Sequence, residues 1–402
     1  MPPAAHQPPL AILGADPRFP EPLHVGRPNL GDRQAFLARI EGMLDRNWLT
    51  NDGPLVQEME REIAGRLGVA HCVAMTNGTV ALEIAIRALG LTGEVIVPGF
   101  TFVATAHALQ WQEITPVFAD VDPITHTLDP ARVSDLITPK TSGILGVHLW
   151  GIPCDVDALA AIAADHGLEL LFDAAHAFGC ARGDTMIGGF GRAEVLSFHA
   201  TKFVNSFEGG AVVTNDTELA ERMVLMRNFG FAGYDRVIYV GTNGKMSEPS
   251  AAMALTNLES MEDFVTANRA NFAAYRSVVR DLPGLRLVEP PEAEHWNHQY
   301  VVVEVDAEVA GLTRDELVEV LWADNVRARR YFYPGVHRME PYRSHFPHAG
   351  LLLPVTERLC DRVLVLPTGT AVSAEEVGLI GDLIATALAE PAAVRAACKG
   401  LG

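Results

Sequence analysis

The sequence predicts an α/β fold in which a mostly parallel sheet, covered by helices, forms a large domain and a smaller C-terminal α/β domain follows. Short runs rich in β-forming residues alternate with helical patterns along most of the chain, which is typical of βαβ units. The length of 402 residues allows two or three domains at about 150 residues each. The composition, 49% apolar and 20% charged, is that of a globular protein and excludes general disorder.

The N-terminal half of the chain carries most of the predicted strands. Residues 1–22 hold seven prolines and no periodic apolar pattern, so they predict an extended arm outside the core. Strands are predicted at 71–75, 94–98, 116–120, 143–149, 168–173, 194–198 and 210–214, and helices at 79–89, 103–111 and 155–166.

The C-terminal part predicts a smaller unit. A long helical region from 247 to 281 follows a loop at 241–244 and ends before Pro283. Strands at 299–305 and 363–367 and helices at 314–324 and 373–389 come after it. We therefore expect an N-terminal arm at 1–23, a large domain at 24–246, and a linking helix with a small domain at 247–402.

The charge of the chain limits its partners. The sequence has 31 Lys and Arg against 50 Asp and Glu, a net charge of −19 with neutral histidines. A surface this acidic repels polyanions over most of its area, which argues against binding to nucleic acid or to an anionic membrane. If the ligand is itself an anion, the protein must gather some of its few cationic side chains and free backbone N–H groups at the binding site.

Other features of the composition point to a cytoplasmic protein without a metal. The five cysteines form no CxxC pair and are odd in number, which indicates reduced thiols. The N-terminus lacks the basic start and apolar core of a signal peptide. The charge-free stretch 95–112 contains proline and glycine and divides into a strand and a helix, so we expect no membrane span. The pairs His295/His298 and His345/His348 have no further ligand set nearby, so we expect no metal.

Three strand ends carry candidate functional residues, because ligands bind where the strands of a parallel sheet end. The first is the turn from Thr76 to Thr79, where a strand is followed at once by a helix. Free N–H groups and the positive end of the helix dipole make such a turn an anion seat, with the threonine hydroxyls as further donors. Simple capping of the helix by Thr76 and Asn77 is the alternative interpretation.

The second strand end is LELLFDAAHAFG, which delivers Asp173 to the edge of the sheet, with His176 three residues later. A carboxylate in such a place needs a cation or several donors. The functional interpretation is a carboxylate that keeps a ring nitrogen protonated, with His176 near the same ring. A helix-capping Asp173 and a packed His176 are the alternative.

The third strand end is EVLSFHATKFVNSFEGG, which contains Lys202. Apolar neighbours such as Phe198 and Phe203 disfavour its ammonium form, lower its pKa and make it a candidate imine-forming nucleophile, although a lysine on a solvated loop fits the same pattern. An anion seat, a carboxylate for a ring nitrogen and a desolvated amine are together the partners that pyridoxal 5'-phosphate requires.

The order of several motifs resembles the DegT/StrS-type sugar aminotransferases, a family of fold-type I pyridoxal-phosphate enzymes. The motifs are NWLTNDGP, TNGTVAL, PGFTFVAT, DAAHAFG, SFHATK…FEGGAVVTND, NGKMSE and RRYFYPGVHRMEPYR, and the resemblance extends from about residue 24 to residue 390. It implies a fold-type I aminotransferase with a large and a small domain.

The resemblance also implies roles for individual residues. Lys202 lies where the family has its Schiff-base lysine, Asp173 where it has the partner of the pyridine nitrogen, and His176 near the cofactor's 3-hydroxyl. The remaining cofactor residues are the phosphate-binding Gly78, Thr79 and Ser197, and Phe102, which stacks on the ring.

Substrate and partner residues are implied in the same way. Asn243 matches an asparagine that reaches the cofactor phosphate of the neighbouring subunit, so the resemblance implies a homodimer with shared active sites. Tyr331 and His337 match a region near the sugar nucleotide. Apart from the resemblance, the need for local cations in so acidic a chain makes Arg329 and Arg330 candidates for its diphosphate.

The implied reaction is transfer of an amino group, with L-glutamate as donor, to a nucleotide-linked keto-deoxysugar. The motif SFHATK…FEGG is most similar to members that aminate C4 of dTDP-4-keto-6-deoxyglucose, and amination of C3 is the alternative within the family. A sugar dehydratase is a second alternative, although such relatives carry His in place of the lysine. A catalytically silent cofactor- or sugar-nucleotide-binding protein is a third, and the presence of Lys202 argues against it.

Overall fold

A computed structural model describes residues 10–291 and 295–400. The strands are β1 Leu23–His24, β2 His71–Met75, β3 Glu94–Pro98, β4 Thr115–Ala119, β5 Thr141–Val147, β6 Glu169–Asp173, β7 Ala181–Arg182, β8 Thr185–Met186, β9 Ala193–Ser197, β10 Gly210–Thr214, β11 Leu285–Leu287, β12 Val301–Val305, β13 Val326–Arg327 and β14 Val363–Leu366. The helices are α1 Arg33–Arg46, α2 Pro54–Leu67, α3 Gly78–Leu89, α4 Ala104–Gln110, α5 Pro130–Asp135, α6 Val156–His166, α7 Thr217–Met226, α8 Glu248–Glu259, α9 Met261–Val279, α10 Ala307–Ala310, α11 Arg314–Ala323, α12 Tyr342–His345, α13 Pro354–Arg362, α14 Ala374–Ala389 and α15 Pro391–Lys399.

The central sheet of the described residues has seven strands in the order β2-β10-β9-β6-β5-β3-β4. Neighbours from β9 to β4 are parallel, whereas β10 runs antiparallel to both β2 and β9. The predicted mostly parallel sheet is therefore confirmed. Because the parallel strands end at one edge, the segments after β3, β5, β6 and β9 are brought together there.

Both faces of this sheet are covered, as the apolar composition of its strands requires. On β3, Val95 and Val97 pack into the cluster that contains α3, while Ile96 packs into the cluster on the opposite face with α6. All three side chains are fully buried. Such two-sided burial explains why these strands are apolar throughout instead of alternating with polar residues.

Local sequence signals set both ends of α3, the helix that begins within the turn from Thr76 to Thr79. The side chain of Asn77 caps α3 by accepting a hydrogen bond from the Val80 amide at 2.8 Å. Gly90 ends the helix with φ 73°, a left-handed conformation that glycine adopts without a Cβ clash. The positions of both ends can therefore be read from the sequence.

The C-terminal unit has an antiparallel sheet of β11, β12 and β14, packed with α9, α11 and α14. Helices α11 and α14 each begin with a capping box, in which a Ser or Thr and a Glu three residues later cap each other's backbone. This smaller α/β unit agrees with the predicted fold class.

The long helix predicted at 247–281 is wrong in one respect, because it is two helices that meet at Ser260. Helix α8 is buried on nearly all sides and packs against α1 and α2, whereas α9 packs against α14. The two helices thus pack in different parts of the molecule. The domain border at residue 246 stays a prediction.

The N-terminal segment also differs from expectation. Leu10 and Phe19 are 1% and 4% exposed and belong to the same core cluster as Leu321 of α11. The carboxylate of Asp324 accepts hydrogen bonds from the amides of Ala11 and Arg18, at 3.1 and 2.9 Å. The expectation that residues 1–22 stay outside the core is therefore wrong for residues 10–22, because prolines prevent regular structure but not burial of the apolar side chains between them. Residues 1–9 lie outside the described residues.

No single helix within residues 10–291 and 295–400 is long and apolar enough to cross a membrane. Helices α14 and α15 meet the length and composition criteria only when they are taken together, and the chain bends by 91° between them. The stretch 95–112 forms most of β3 and all of α4, as predicted.

Candidate active site

The predicted lysine lies in a turn that follows β9. The Lys202 amide donates to the carbonyl of His199 at 2.8 Å, and its ammonium Nζ donates to Tyr300 Oη at 3.1 Å. Burial lowers the pKa of Lys202 from its ordinary 10.5 to about 8, against the opposing effect of the negative charge of Asp173. The lysine therefore has the desolvated amine that its sequence context predicts.

Asp173 ends β6 and is 6% exposed. Its two carboxylate oxygens accept hydrogen bonds from the Thr105 hydroxyl at 2.9 Å and from the Ala175 amide at 3.1 Å. Burial raises the pKa of Asp173, and these two donors and the charge of Lys202 act in the opposite direction. A buried carboxylate of this kind is stabilised by a cationic partner such as a protonated ring nitrogen.

The turn from Thr76 to Thr79, which the sequence predicts to bind an anion, lies between the ends of β2 and β9. A Cβ at Gly78 would lie 3.3 Å from the Cβ of Ser197, so the turn and the serine are in direct contact. A Cβ at Gly210, which pairs with both Met75 and Ser197, would lie 2.5 Å from the carbonyl carbon of Asn77. Any side chain at position 210 would displace the turn, which explains on steric grounds why this position is a glycine. The Val80 amide already donates to Asn77, whereas the amides of Gly78 and Thr79 precede the first acceptor within the helix and are available to an anion.

A wall of aromatic side chains encloses Lys202 on one side. The ring of His176 lies 4.3 Å from that of Tyr300 and is stacked at 5.7 Å on Trp150, which is itself stacked at 5.3 Å on Phe332. Burial and the charge of Lys202 lower the pKa of His176 well below its ordinary value, so His176 is neutral. The wall provides an apolar surface next to the lysine and the aspartate.

Four of the residues that build this site were not predicted: Thr105, Trp150, Tyr300 and Phe332. Trp150 follows a predicted strand directly, and Tyr300 lies within the predicted strand 299–305, just before the observed start of β12. The rule that functional residues follow strand ends could have found Trp150. Tyr300 reaches the site from a strand of the other sheet, and its own sequence neighbourhood carries no such signal.

Three predicted cofactor residues, Thr79, Phe102 and Asn243, are exposed in the single chain. Phe102 is 57% exposed, with its ring 6.5 Å from that of Phe332 at the border of the aromatic wall. Asn243 is exposed and accepts a hydrogen bond from Lys245 Nζ at 2.7 Å. An exposed Asn243 is free to contact a second subunit, as its predicted role requires.

The four predicted substrate residues differ in position. Tyr331 joins the aromatic wall, with its ring 6.3 Å from Trp150, and the guanidinium of Arg329 lies 5.4 Å from the Tyr331 ring. Arg330 instead pairs with an aspartate on α11 at 3.2 Å. His337 is 2% exposed, with Nε2 2.6 Å from a carboxylate oxygen of Glu357. The structure thus brings Tyr331 and Arg329 to the site but buries His337 away from it.

The residues present fit pyridoxal phosphate on chemical grounds. The amine of Lys202 matches its aldehyde, the buried carboxylate of Asp173 matches its ring nitrogen, and the glycine-lined turn with Ser197 matches its phosphate. Lys202, Asp173 and the turn all lie at one edge of a single sheet, where β9, β6 and β2 have their carboxyl ends.

This fold and this site together define a fold-type I aminotransferase that uses pyridoxal phosphate. The chain belongs to the DegT/DnrJ/EryC1/StrS aminotransferase family, whose sequence model matches residues 31–385. The family, the fold and the cofactor predicted from the sequence are therefore confirmed.

Several named proteins are similar to this chain over most of its length. It is 38% identical to the dTDP-4-amino-4,6-dideoxy-D-glucose transaminase of Shigella dysenteriae, over 88% of this chain and 96% of that protein. It is 35% identical to the transaminase of the same name from Escherichia coli, over 90% and 97% of the two chains. The crystal structure of DesI in the presence of its TDP-sugar product is 50% identical, with a TM-score of 0.91, over 95% of this chain and 96% of that one.

Proposed function

We propose that the protein transfers the amino group of L-glutamate to C4 of dTDP-4-keto-6-deoxyglucose and so forms the 4-amino-4,6-dideoxy sugar. The observation that carries the transamination is the desolvated Lys202 amine beside the buried Asp173 carboxylate at one sheet edge. The names of the two transaminases support the choice of substrate and of C4, and the TDP-sugar product of DesI supports a substrate of that class.

Each site residue has a defined task in this reaction. Pyridoxal phosphate, when bound, supplies an aldehyde carbon for the amino group and a ring that accepts the electrons of the broken C–H bond. Asp173 would hold the ring nitrogen in its protonated form, and Gly78, Thr79 and Ser197 would hold the phosphate.

Lys202 is the proton carrier. In its neutral form, Nζ would take a proton from the α-carbon of glutamate and pass it to the cofactor's aldehyde carbon in the first half reaction. In the second half reaction Nζ would move a proton from that carbon to C4 of the sugar. Tyr300 Oη, 3.1 Å from Nζ, orients the amine while it is free. The aromatic wall excludes water from that side of Lys202 and keeps its pKa low. Because one product leaves before the second substrate binds, ping-pong kinetics are expected.

The alternatives are opposed by specific observations. A dehydratase of this family would carry His in place of Lys202, and the nearby His199 is exposed and contacts Thr201 at 2.8 Å instead. A silent binding protein has no need of a lysine with a pKa near 8. Amination of C3 uses the same catalytic residues and is distinguished by the product alone.

A homodimer is the assembly we propose. Apolar side chains are exposed along the segment before Asn243: Phe229, Phe231, Val237, Ile238 and Val240. Several large apolar side chains exposed in one segment are typical of a protein interface. Asn243 at the end of this segment would then reach the active site of the second copy. The free cysteines of the chain fit a reducing compartment, and we propose the cytoplasm.

The test is to incubate the purified protein with pyridoxal phosphate, ¹⁵N-labelled L-glutamate and 3-keto or 4-keto dTDP-6-deoxysugars in parallel. We expect ¹⁵N at C4, located by NMR through its coupling to the attached carbon. Nitrogen at C3 would overturn the regiochemistry alone. Absence of amination from every keto sugar, with the cofactor bound, would favour the binding protein. Lys202→Ala is the control and should lose both the product and the visible imine absorbance.

A further inference from the structure

Behind the aromatic wall, three side chains from separate segments form a hydrogen-bonded row. The indole Nε1 of Trp150 donates to His126 Nδ1 at 3.2 Å, and His126 Nε2 lies 2.8 Å from Glu304 Oε1. His126 and Trp150 are fully buried, and the side chain of Glu304 is 14% exposed. The guanidinium of Arg286 pairs with Glu304 at the outer end of the row.

The donors and acceptors in this row permit one arrangement of protons. An indole N–H can only donate, and an ionised carboxylate can only accept. The imidazole of His126 must therefore accept at Nδ1 and donate at Nε2. A second proton on Nδ1 would face the indole N–H directly, donor against donor. The row thus anchors the indole of Trp150 in one orientation.

The backbone at Trp150 is held in an unusual conformation. Trp150 has φ 61° and ψ 10°, in the left-handed region that a bulky residue rarely adopts. The indole of Trp296 donates to the Trp150 carbonyl at 2.9 Å. A Cβ at Gly151, with φ 83°, would lie 2.8 Å from the indole nitrogen of Trp296. Strain of this kind persists where surrounding contacts over-determine it, and it is concentrated at functional sites.

The strained conformation aims Trp150 at the catalytic side chains. Its backbone N–H points to His176 Nδ1 at 3.4 Å, and its ring packs face to face with that of His176, at an interplanar angle of 25°. An N–H donor at Nδ1 leaves the proton of neutral His176 on Nε2. The edge of the same indole system contacts Tyr300, the partner of Lys202, at a ring distance of 5.5 Å.

We propose that Trp150 is a positioning residue for the transamination, anchored by His126 and Glu304. It holds His176 as the tautomer with its proton on Nε2 and supports Tyr300 against Lys202. His176 can then donate a hydrogen bond to the bound cofactor from Nε2. The catalytic consequence rests on the proposed function, whereas the tautomer of His176 is a property of the protein without any ligand.

The first test reads that tautomer directly. In ligand-free protein with ¹⁵N-labelled histidine, the ¹⁵N shifts of His176, identified by their loss in His176→Gln, should show Nε2 protonated and Nδ1 unprotonated. In His126→Phe and Trp150→Phe the two tautomers should mix. Unchanged shifts in both variants would overturn the proposal and leave the proposed function intact, because no sugar is present.

The second test is a double-mutant cycle on turnover. His126→Phe and Trp150→Phe should each lower kcat about tenfold, as expected for one buried hydrogen bond and its consequences, with both KM values within about twofold. The double variant should lose no more than either single one, because both changes remove the same bond. Trp111→Phe, at a tryptophan that is 82% exposed, is the matched control and should keep full turnover. Multiplicative losses would overturn the proposal.

Both His126→Phe and Trp150→Phe change a buried ring, and a change of that kind can prevent folding. Two variants at Glu304 therefore test the same hydrogen-bonded row with both rings in place. Glu304→Leu removes the acceptor for His126 and leaves both rings in place, so kcat should fall about threefold or more. Glu304→Gln retains an acceptor at the same position and should recover most of that loss. Equal kcat values for these two variants would show that the acceptor has no role and would overturn the proposal.

Discussion

The reactivity of Lys202 is predicted to depend on pH with a midpoint near 8, because only the neutral amine has a free lone pair. Burial lowers the pKa of Lys202 to about 8, and the carboxylate of Asp173 limits the shift. At pH 7 a group with this pKa is about 9% neutral, against about 0.03% for a lysine of ordinary pKa. The neutral, nucleophilic form of Lys202 is therefore about 300 times more abundant at pH 7 than that of an ordinary lysine.

The shape of the pH profile separates the two cases. Between pH 7 and pH 9 the neutral fraction of Lys202 should rise about tenfold and then level off, whereas an ordinary lysine would gain about a hundredfold and continue to rise. The sign follows from burial, which disfavours the charged form and so extends the neutral form to lower pH.

The assay is stopped-flow mixing of ligand-free protein with pyridoxal phosphate, followed by the visible absorbance of the imine between pH 6 and pH 10. Nα-acetyl-lysine under the same conditions corrects for ionisation of the cofactor itself. Lys202→Ala should give no comparable absorbance. A corrected rate that still rises about eightfold between pH 9 and pH 10, as it would for a lysine of ordinary pKa, would refute a desolvated lysine.

Three further predictions concern the partners of the cofactor and substrate. Asp173→Asn should lower kcat about a hundredfold in the steady-state assay, because a charged hydrogen bond contributes about 1.5–3 kcal/mol, and an unchanged kcat would contradict the role of Asp173. Gly210→Ala should weaken binding of pyridoxal phosphate at least about tenfold in equilibrium dialysis, since its Cβ would overlap the Asn77 carbonyl carbon, and wild-type affinity would show that the turn can move. Arg329→Ala should raise KM for the sugar nucleotide several-fold but not KM for glutamate, whereas Arg330→Ala, whose guanidinium is paired at 3.2 Å, should change neither. Equal effects of Arg329→Ala on both KM values would identify an ordinary surface charge.

The strands could be predicted most accurately, for a physical reason. The bounds of β2, β3 and β10 coincide with the predicted 71–75, 94–98 and 210–214. Each is a short apolar run between turn residues and is buried on both faces, so burial and local propensity favour the same assignment.

Helix breaks and the N-terminal segment depend on tertiary packing and were not predictable in the same way. The helical pattern continues through Ser260, and the break arises because α8 packs against α1 and α2 while α9 packs against α14. Leu10 and Phe19 share a core cluster with α11, and the amides of Ala11 and Arg18 bond to Asp324, 313 and 306 positions away, which no local pattern reports.

The residues of the candidate site also fall into those predictable from the order of the strands and those placed by tertiary packing. Asp173 and Lys202 follow strands of one parallel sheet, so topology alone predicts their proximity. Tyr300 comes from the other sheet, and its contact with Lys202 depends on how the two units pack. His337 shares a motif with Tyr331, but the intervening turn directs it to Glu357 in the interior. Sequence distance within an irregular loop therefore does not indicate which side chains reach the site.

The bond between the Ala11 amide and Asp324 spans 313 residues, and this separation sets an order of events during synthesis. At about 5–20 residues per second, the ribosome needs about 15 to 60 s to supply the partner of Ala11. Through that interval Leu10 and Phe19 have been synthesised while the α11 residues of the same core cluster have not. The first described segment of the chain is thus among the last to reach its place. A nascent chain halted before residue 314 leaves both side chains without that partner, as a binding site for chaperones and a starting point for aggregation.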